Sequence, residues 1–265
     1  EEIKNFIPEE YWTLDLILSD DDNREFSARL YGYKDEKLEI KSQIQMDEVC
    51  RILEKAALKV ARIERKEKRK KANPPFTTST MQQEAARKLN FFSKRTMKVA
   101  QELYEGLALG KEGTVGLITY LRTDSTRVAG VAQMEALDYI REKFGVSYVP
   151  DTPNEYRSRK GAQDAHEAIR PTSVERTPES VKAFLSRDQY RLYRLIWERF
   201  LASQMTAAVF DTVAVEIEAG IYGLRAGSSQ LKFRGYQKIY ADEEEDENKK
   251  YIPPLYEGQL LSIRE

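Results

Sequence analysis

A chain of 265 residues, 41% hydrophobic and 33% charged, suits a soluble globular protein long enough for two domains. Its 43 Lys+Arg against 44 Asp+Glu leave a net charge of −1, which argues against a generic polyanion binder, because non-specific nucleic-acid affinity comes from phosphate neutralisation. The single cysteine, Cys50, excludes an internal disulfide and a cysteine-built zinc site, no apolar run reaches the ~18 residues of a membrane span, and the start EEIKNFIPEE has no signal-peptide character, so a cytoplasmic protein is expected.

In chain order, residues 11–18 (YWTLDLIL) alternate Trp12, Leu14, Leu16 and Leu18 against Thr13 and Asp15, the pattern of a half-buried strand. After the turn SDDDNR, residues 25–33 and 37–44 read as two more strands. Asp47 is placed to cap a helix over 48–60 with Val49, Ile52, Leu53, Ala56, Ala57 and Val60 inward. Residues 62–71 carry seven basic and two acidic side chains before Asn73-Pro74-Pro75, which reads as a solvated helix end and connector or as a basic edge for backbone phosphate.

From Phe76 the pattern changes. Ser79-Thr80-Met81-Gln82 has capping-box spacing for a helix carrying Met81, Ala85 and Leu89, and a second helix is expected over 94–109 with Met97, Ala100, Tyr104 and Leu107 inward. Gly110–Gly113 is a loop, Leu117–Leu121 a short buried strand, and 129–144 a helix stopped by Gly145. A polar, proline-containing segment over 146–163 precedes a short helix bearing His166. Thr177-Pro178 opens another helix, and 187–203 is the longest, with Tyr190, Tyr193, Leu195, Ile196, Trp197, Phe200 and Leu201 for packing. Period two then returns over 207–217, 221–226, 231–240 and 260–263. The order β, α, β predicts an α+β chain: one discontinuous β-rich domain over 1–75 and 199–265, with a mainly helical domain over 76–198 inserted through hinge strands near 62–75 and 204–208.

The chemistry points to Gly116–Thr126, GLITYLRTDST. A tyrosine hydroxyl ordinarily titrates near ~10 and is a weak nucleophile at neutral pH unless a cation stabilises the phenolate. On an extended chain, residues two apart share a face, so Tyr120 and Arg122 project together, and a guanidinium there could favour the phenolate and grip a phosphate by paired hydrogen bonds. Taken alone, such a pair also fits a ring in the core and an arginine in solvent. The one histidine of the chain, His166, stands in AQDAHEAIRPT, residues 162–172. At the first turn of a helix it could meet a phosphate near the positive helix end.

ITYLRTDST followed by AHEAIRPT resembles the active-site region of the type IA DNA topoisomerases, and most closely the bacterial topoisomerase I group. IPEEYWTLD (7–15), PFTTSTMQQEAARKL (75–89) and LYRLIWERFLASQMTAA (192–208) extend the resemblance over nearly the whole chain. It implies that the β-rich domain is an arch and the helical insertion a winged-helix-like domain that lifts away to open a DNA gate. By the same resemblance Tyr120 is the nucleophile that carries a 5′-phosphate of single-stranded DNA, Arg122 is the arginine beside it, and His166 holds a nearby phosphate. DNA-contacting candidates are Ser79, Thr80, Gln82, Thr123, Asp124, Ser125, Arg159, Lys160 and Arg170. Resealing by transesterification needs no ATP, and the whole enzyme would relax negatively supercoiled DNA in the bacterial nucleoid. Residues 76–198 hold 19 Lys+Arg against 16 Asp+Glu and the remainder 24 against 28, which makes the middle the DNA-facing part.

The resemblance also implies a magnesium-binding Toprim domain, for which the sequence shows no acidic cluster. Asp20-Asp21-Asp22 reads as a turn and 242–247 as a solvated loop, so no metal ligand is assigned. This chain alone is expected to be inactive without that domain and the rest of the enzyme. Two other readings stand beside this one. A non-catalytic single-stranded-DNA-binding module would use Tyr120 only for packing. A tyrosine recombinase would need a second, distant arginine and a tyrosine after the histidine, the reverse of the order found.

Overall fold

The computed structural model describes residues 10–33, 36–156, 166–240 and 251–264. In chain order they form strands β1 (Asp15–Ser19), β2 (Glu25–Tyr33) and β3 (Glu36–Lys37), helix α1 (Gln43–Leu53), strand β4 (Leu58–Lys70), helices α2 (Thr78–Leu89) and α3 (Ser93–Glu105), and short strands β5 (Leu107–Ala108) and β6 (Thr114–Val115). Helices α4 (Gly130–Phe144), α5 (Pro178–Val181) and α6 (Arg187–Ser203) follow, then strands β7 (Ala208–Ala219), β8 (Tyr222–Phe233) and β9 (Leu260–Ile263). The chain is an α+β mixture, 37% helical and 28% strand, built on a large antiparallel sheet. Among the described residues no helix is long and apolar enough to cross a membrane.

The residues divide into two compact units. One holds residues up to Lys68, Phe210–Lys232 and the C-terminal stretch; the other holds Arg69–Val209 and the residues from Phe233 onward that precede that stretch. The divisions at 68/69 and 209/210 differ from the sequence-based 75/76 and 198/199. At the second division the reason is that α6 runs uninterrupted to Ser203 and packs on α3, so its last turn stays with the helices.

In the first unit the strands run in the order β1-β9-β4-β7-β8-β2-β3, and β1 also pairs with β2. Six strands therefore return on themselves, with only β3 outside the ring. Alternation fixes what faces inward: Leu16, Leu18, Phe26, Ala28, Val215 and Ile217 are buried in one cluster that Met46, Val49 and Leu53 of α1 join. Helix α1 begins five residues earlier than expected, because the Ser42 side chain accepts from the Gln45 amide and takes the capping role assigned to Asp47. It ends at Leu53; residues 54–57 form a turn, and Leu58 to Val60 with the basic run 62–70 lie in β4 instead of a helix. Leu58 and Val60 are buried while Lys59 is exposed, a period of two that the preceding helical spacing masks. The strand expected over 37–44 reduces to Glu36–Lys37, because Gln43 is already helical.

In the second unit α2 starts from Thr77, not Ser79. Its side chain accepts from the Thr80 amide and Thr80 returns a hydrogen bond to the Thr77 amide. Helix α3 buries Thr96, Val99, Ala100 and Leu103, a face rotated from the expected one, and leaves Tyr104 exposed. Helix α6 has the bounds read from sequence, capped by a Ser186/Gln189 box.

Candidate active site

The stretch around Tyr120 bends at Thr119, Leu121 and Arg122 and belongs to no regular sheet. Its one ladder-like pairing is an isolated bridge between Ile118 and Pro171. This corrects the expected strand over 117–121, and the reason is that side-chain hydroxyls take up backbone groups that a neighbouring strand would satisfy. The Thr119 hydroxyl donates to the Ala168 carbonyl at 2.8 Å and accepts from the Arg170 amide at 3.0 Å, and the Thr172 hydroxyl donates to the Gly116 carbonyl at 2.8 Å. Amide bonds from Thr119 to Arg170 O and from Thr172 to Leu117 O complete the join.

The alternation survives without the ladder. Leu121, Thr123 and Ser125 are buried, whereas Tyr120, Arg122 and Asp124 are exposed. Tyr120 and Arg122 thus share the outward side, as two-residue spacing predicts. The Tyr120 ring is 44% exposed, and its hydroxyl has no hydrogen-bond partner among the described residues. Two rings flank it: Tyr104 edge-on at 5.5 Å between centroids and His166 tilted at 6.0 Å. Gly116 sets this approach, since a Cβ there would lie 2.7 Å from the Tyr104 carbonyl oxygen, and the Leu117 amide donates to the Leu103 carbonyl at 2.8 Å.

His166 is half-buried and non-helical, so the short helix expected to carry it is absent from residue 166 onward; Asp164 and Ala165 lie outside the described residues. Its place comes from an extended path in which the Ala168 amide donates to the Arg127 carbonyl and the Ile169 amide to the Phe76 carbonyl, each at 2.8 Å. An outward tyrosine with a free hydroxyl, an arginine two residues on and a histidine from a second chain segment are groups suited to phosphoryl transfer.

A family model described as DNA topoisomerase matches residues 1–265. The chain belongs to the DNA topoisomerase family. Full-length topoisomerase I from Thermotoga maritima is 34% identical in sequence and superposes with a TM-score of 0.75, over 99% of this chain and 41% of that one. The chain thus spans less than half the length of that topoisomerase, and the type IA kinship expected from the motifs stands.

Within this topoisomerase chain the other sequence-nominated residues separate. Ser79 is exposed on the first turn of α2, Gln82 is half-buried, and the Thr80 hydroxyl is occupied in the cap. Thr123 and Ser125 are buried and serve the backbone: the Thr123 hydroxyl accepts from the Ser125 amide at 3.0 Å, and the Ser125 hydroxyl from the Arg127 amide at 3.1 Å. Asp124 is exposed. Arg170 is tied into an ion pair with Glu167 at 2.8 Å and donates to the Pro171 carbonyl at 3.0 Å. Arg159 and Lys160 lie outside the described residues.

Sequence reasoning missed Tyr104, which it turned inward, and Thr78, which bonds the tyrosine segment. The only hint of either was position: Tyr104 ends a helix, and Thr78 adjoins a cap. Among the described residues no three His, Cys, Asp or Glu side chains converge as a divalent cation requires. Asp20 is committed to Arg24 and to the amides of Asp22 and Arg24. The magnesium implied by the family resemblance therefore does not fit these residues.

Proposed function

We propose that this chain is the tyrosine-bearing portion of a type IA DNA topoisomerase, which cuts and reseals one strand of DNA through a 5′-phosphotyrosine intermediate. The observation that carries the reading is the free, outward hydroxyl of Tyr120 beside His166 and Arg122. In the forward step the Tyr120 oxygen bonds to phosphorus, the bond from phosphorus to the 3′-oxygen breaks, the phenol proton leaves, and the 3′-oxygen gains a proton. The reverse step restores the strand. One phosphodiester replaces another, so no ATP is consumed.

Arg122 supplies positive charge and, with His166, hydrogen bonds that orient the phosphate. Exposed Ser79 and Asp124 border the single-stranded substrate, and Arg159 and Lys160 contribute positive charge for its phosphates. The helical unit acts as the winged-helix-like gripping module and the ring of strands as the arch. Magnesium and its Toprim ligands would come from residues other than those described, and so would the remainder of the channel that binds negatively supercoiled DNA. The chain by itself is then inactive in relaxation.

The test uses 5′-labelled and 3′-labelled single-stranded oligonucleotides with this chain, a Toprim domain and magnesium. Label on the 3′ side becomes protein-linked, and the adduct vanishes in Tyr120→Phe while DNA binding persists. Binding with no adduct in the wild type would favour the alternative, a non-catalytic single-stranded-DNA-binding module.

A further inference from the structure

Arg122 is exposed and has no hydrogen bond or ion pair among the described residues, so the hold on it is through its backbone, from which the side chain starts. That backbone is clamped from both sides by a single atom. The Thr78 hydroxyl donates to the Leu121 carbonyl at 2.7 Å, on the residue before Arg122. It accepts from the Thr123 amide at 2.9 Å, on the residue after, and lies 3.1 Å from the Thr123 carbonyl. A hydroxyl has one proton and two lone pairs, so the shorter contact to Leu121 takes the proton and the Thr123 amide uses a lone pair. The Thr78 amide adds a further bond to the Thr123 carbonyl at 2.9 Å.

Thr78 is itself held firmly. It is the first residue of α2, next to the Thr77 cap, and follows Phe76, which is fully buried and whose carbonyl accepts from Ile169 on the His166 segment. We infer that Thr78 is a positioning residue for the phosphate-gripping Arg122: its hydroxyl fixes the peptide groups on both sides of the arginine and thereby aims the guanidinium relative to Tyr120. This rests on the reading of Tyr120 as the nucleophile. Thr78 touches neither substrate nor the reacting atoms; it acts through Arg122.

The experiment is a double-mutant cycle in the whole enzyme, reading adduct formation on labelled single-stranded DNA. Thr78→Val keeps the shape and removes the hydroxyl; it is expected to slow adduct formation about 10- to 100-fold, the cost of misplacing a charge at a reacting centre. Thr78→Ser keeps the hydroxyl and stays near wild type. In an Arg122→Ala background Thr78→Val adds little, because the group it aims is gone. Full activity of Thr78→Val, or the same fold-loss with and without Arg122, would overturn the inference.

Amide hydrogen exchange reads the clamp without chemistry. The Thr123 amide stays protected in the wild type and in Thr78→Ser and exchanges roughly 10-fold faster in Thr78→Val, as expected for the loss of one hydrogen bond. Unchanged protection there would also overturn it. If Thr78→Val does not fold, Thr78→Ser decides: near-wild-type rate and protection support the hydroxyl, and a loss in both places the effect elsewhere. An adduct that persists in Tyr120→Phe would sink the functional reading instead, leaving the exchange result to stand by itself.

Discussion

Two irregular stretches of the helical unit use tyrosine in opposite ways. Tyr120 sits between hydroxyl-bearing neighbours, Thr119 and Thr123, that satisfy the backbone, and its own hydroxyl is left outward and unbonded. Tyr156 turns its hydroxyl inward, with the Ser203 carbonyl at 2.9 Å and the Ala72 carbonyl at 3.2 Å, where it joins the end of α6 to the chain entering the unit. Asn154 works beside it, its amide donating to the carbonyls of Ser203 and Met205 at 3.0 and 2.8 Å. Tyr156 has its proton committed to the fold; Tyr120 is held by its neighbours and keeps its proton free.

Exchanging the two treatments breaks the comparison most sharply at Tyr120. Tyr120→Phe should abolish the covalent adduct and leave the melting temperature within error, since no bond is lost. An adduct at wild-type level would mean that another residue is the nucleophile.

The same contrast shows what the sequence carried. Helix α6 was legible to the residue because Ser186, Gln189 and a long apolar stripe agree. The shared exposure of Tyr120 and Arg122 was legible too, because the in-and-out alternation of burial persists although the backbone bends. The missing ladder was not: it depends on Thr119 and Thr172 finding carbonyls about 50 residues away in sequence. Strand β4 was misread because Val60 fits both the helical spacing from Val49 and the strand spacing from Leu58. The closed ring of strands was invisible, since β1 meets β9 and β2 only through pairings remote in sequence.

Gly116→Ala probes whether backbone contact places the tyrosine. The new Cβ, 2.7 Å from the Tyr104 carbonyl, forces the two segments apart and should destabilise the helical unit by about 1–3 kcal/mol as an overpacking defect. Adduct formation should fall with it. Denaturant titration that gives wild-type stability would show that the approach is soft.

Tyr156→Phe should cost about 1 kcal/mol by removing the one proton that the Ser203 and Ala72 carbonyls share, the Ser203 carbonyl keeping its Asn154 donor, with no direct effect on chemistry. Urea midpoints measure the first, and adduct yield at low temperature the second.

The smallest effect is alkaline. Burial pushes the Tyr156 phenol up to about 12, against a weaker opposing pull from Arg199. The fold holds this proton more tightly than the open chain does, so the stabilisation is complete below the ordinary tyrosine value of ~10 and is lost as pH rises toward about 12. Comparing urea midpoints near pH ~9 and ~11, the loss should be shallower in Tyr156→Phe than in wild type.

Arg199, only 6% exposed, lies over the rings of Phe76 and Tyr240 and donates to the Pro74 carbonyl at 2.7 Å. Tyr240 in turn donates to Glu84 at 2.8 Å and stands under the Lys88 ammonium. Tyr240 follows β7 and β8 in the chain, so it leaves the ribosome only after those strands have been made. Until then the arginine lacks one of its two aromatic covers, and an interior cation without its packing partners is unfavourable. The helical unit, begun at Arg69, is therefore completed only after β7 and β8 have emerged, and the ring of strands, begun earlier, closes later still, when β9 follows.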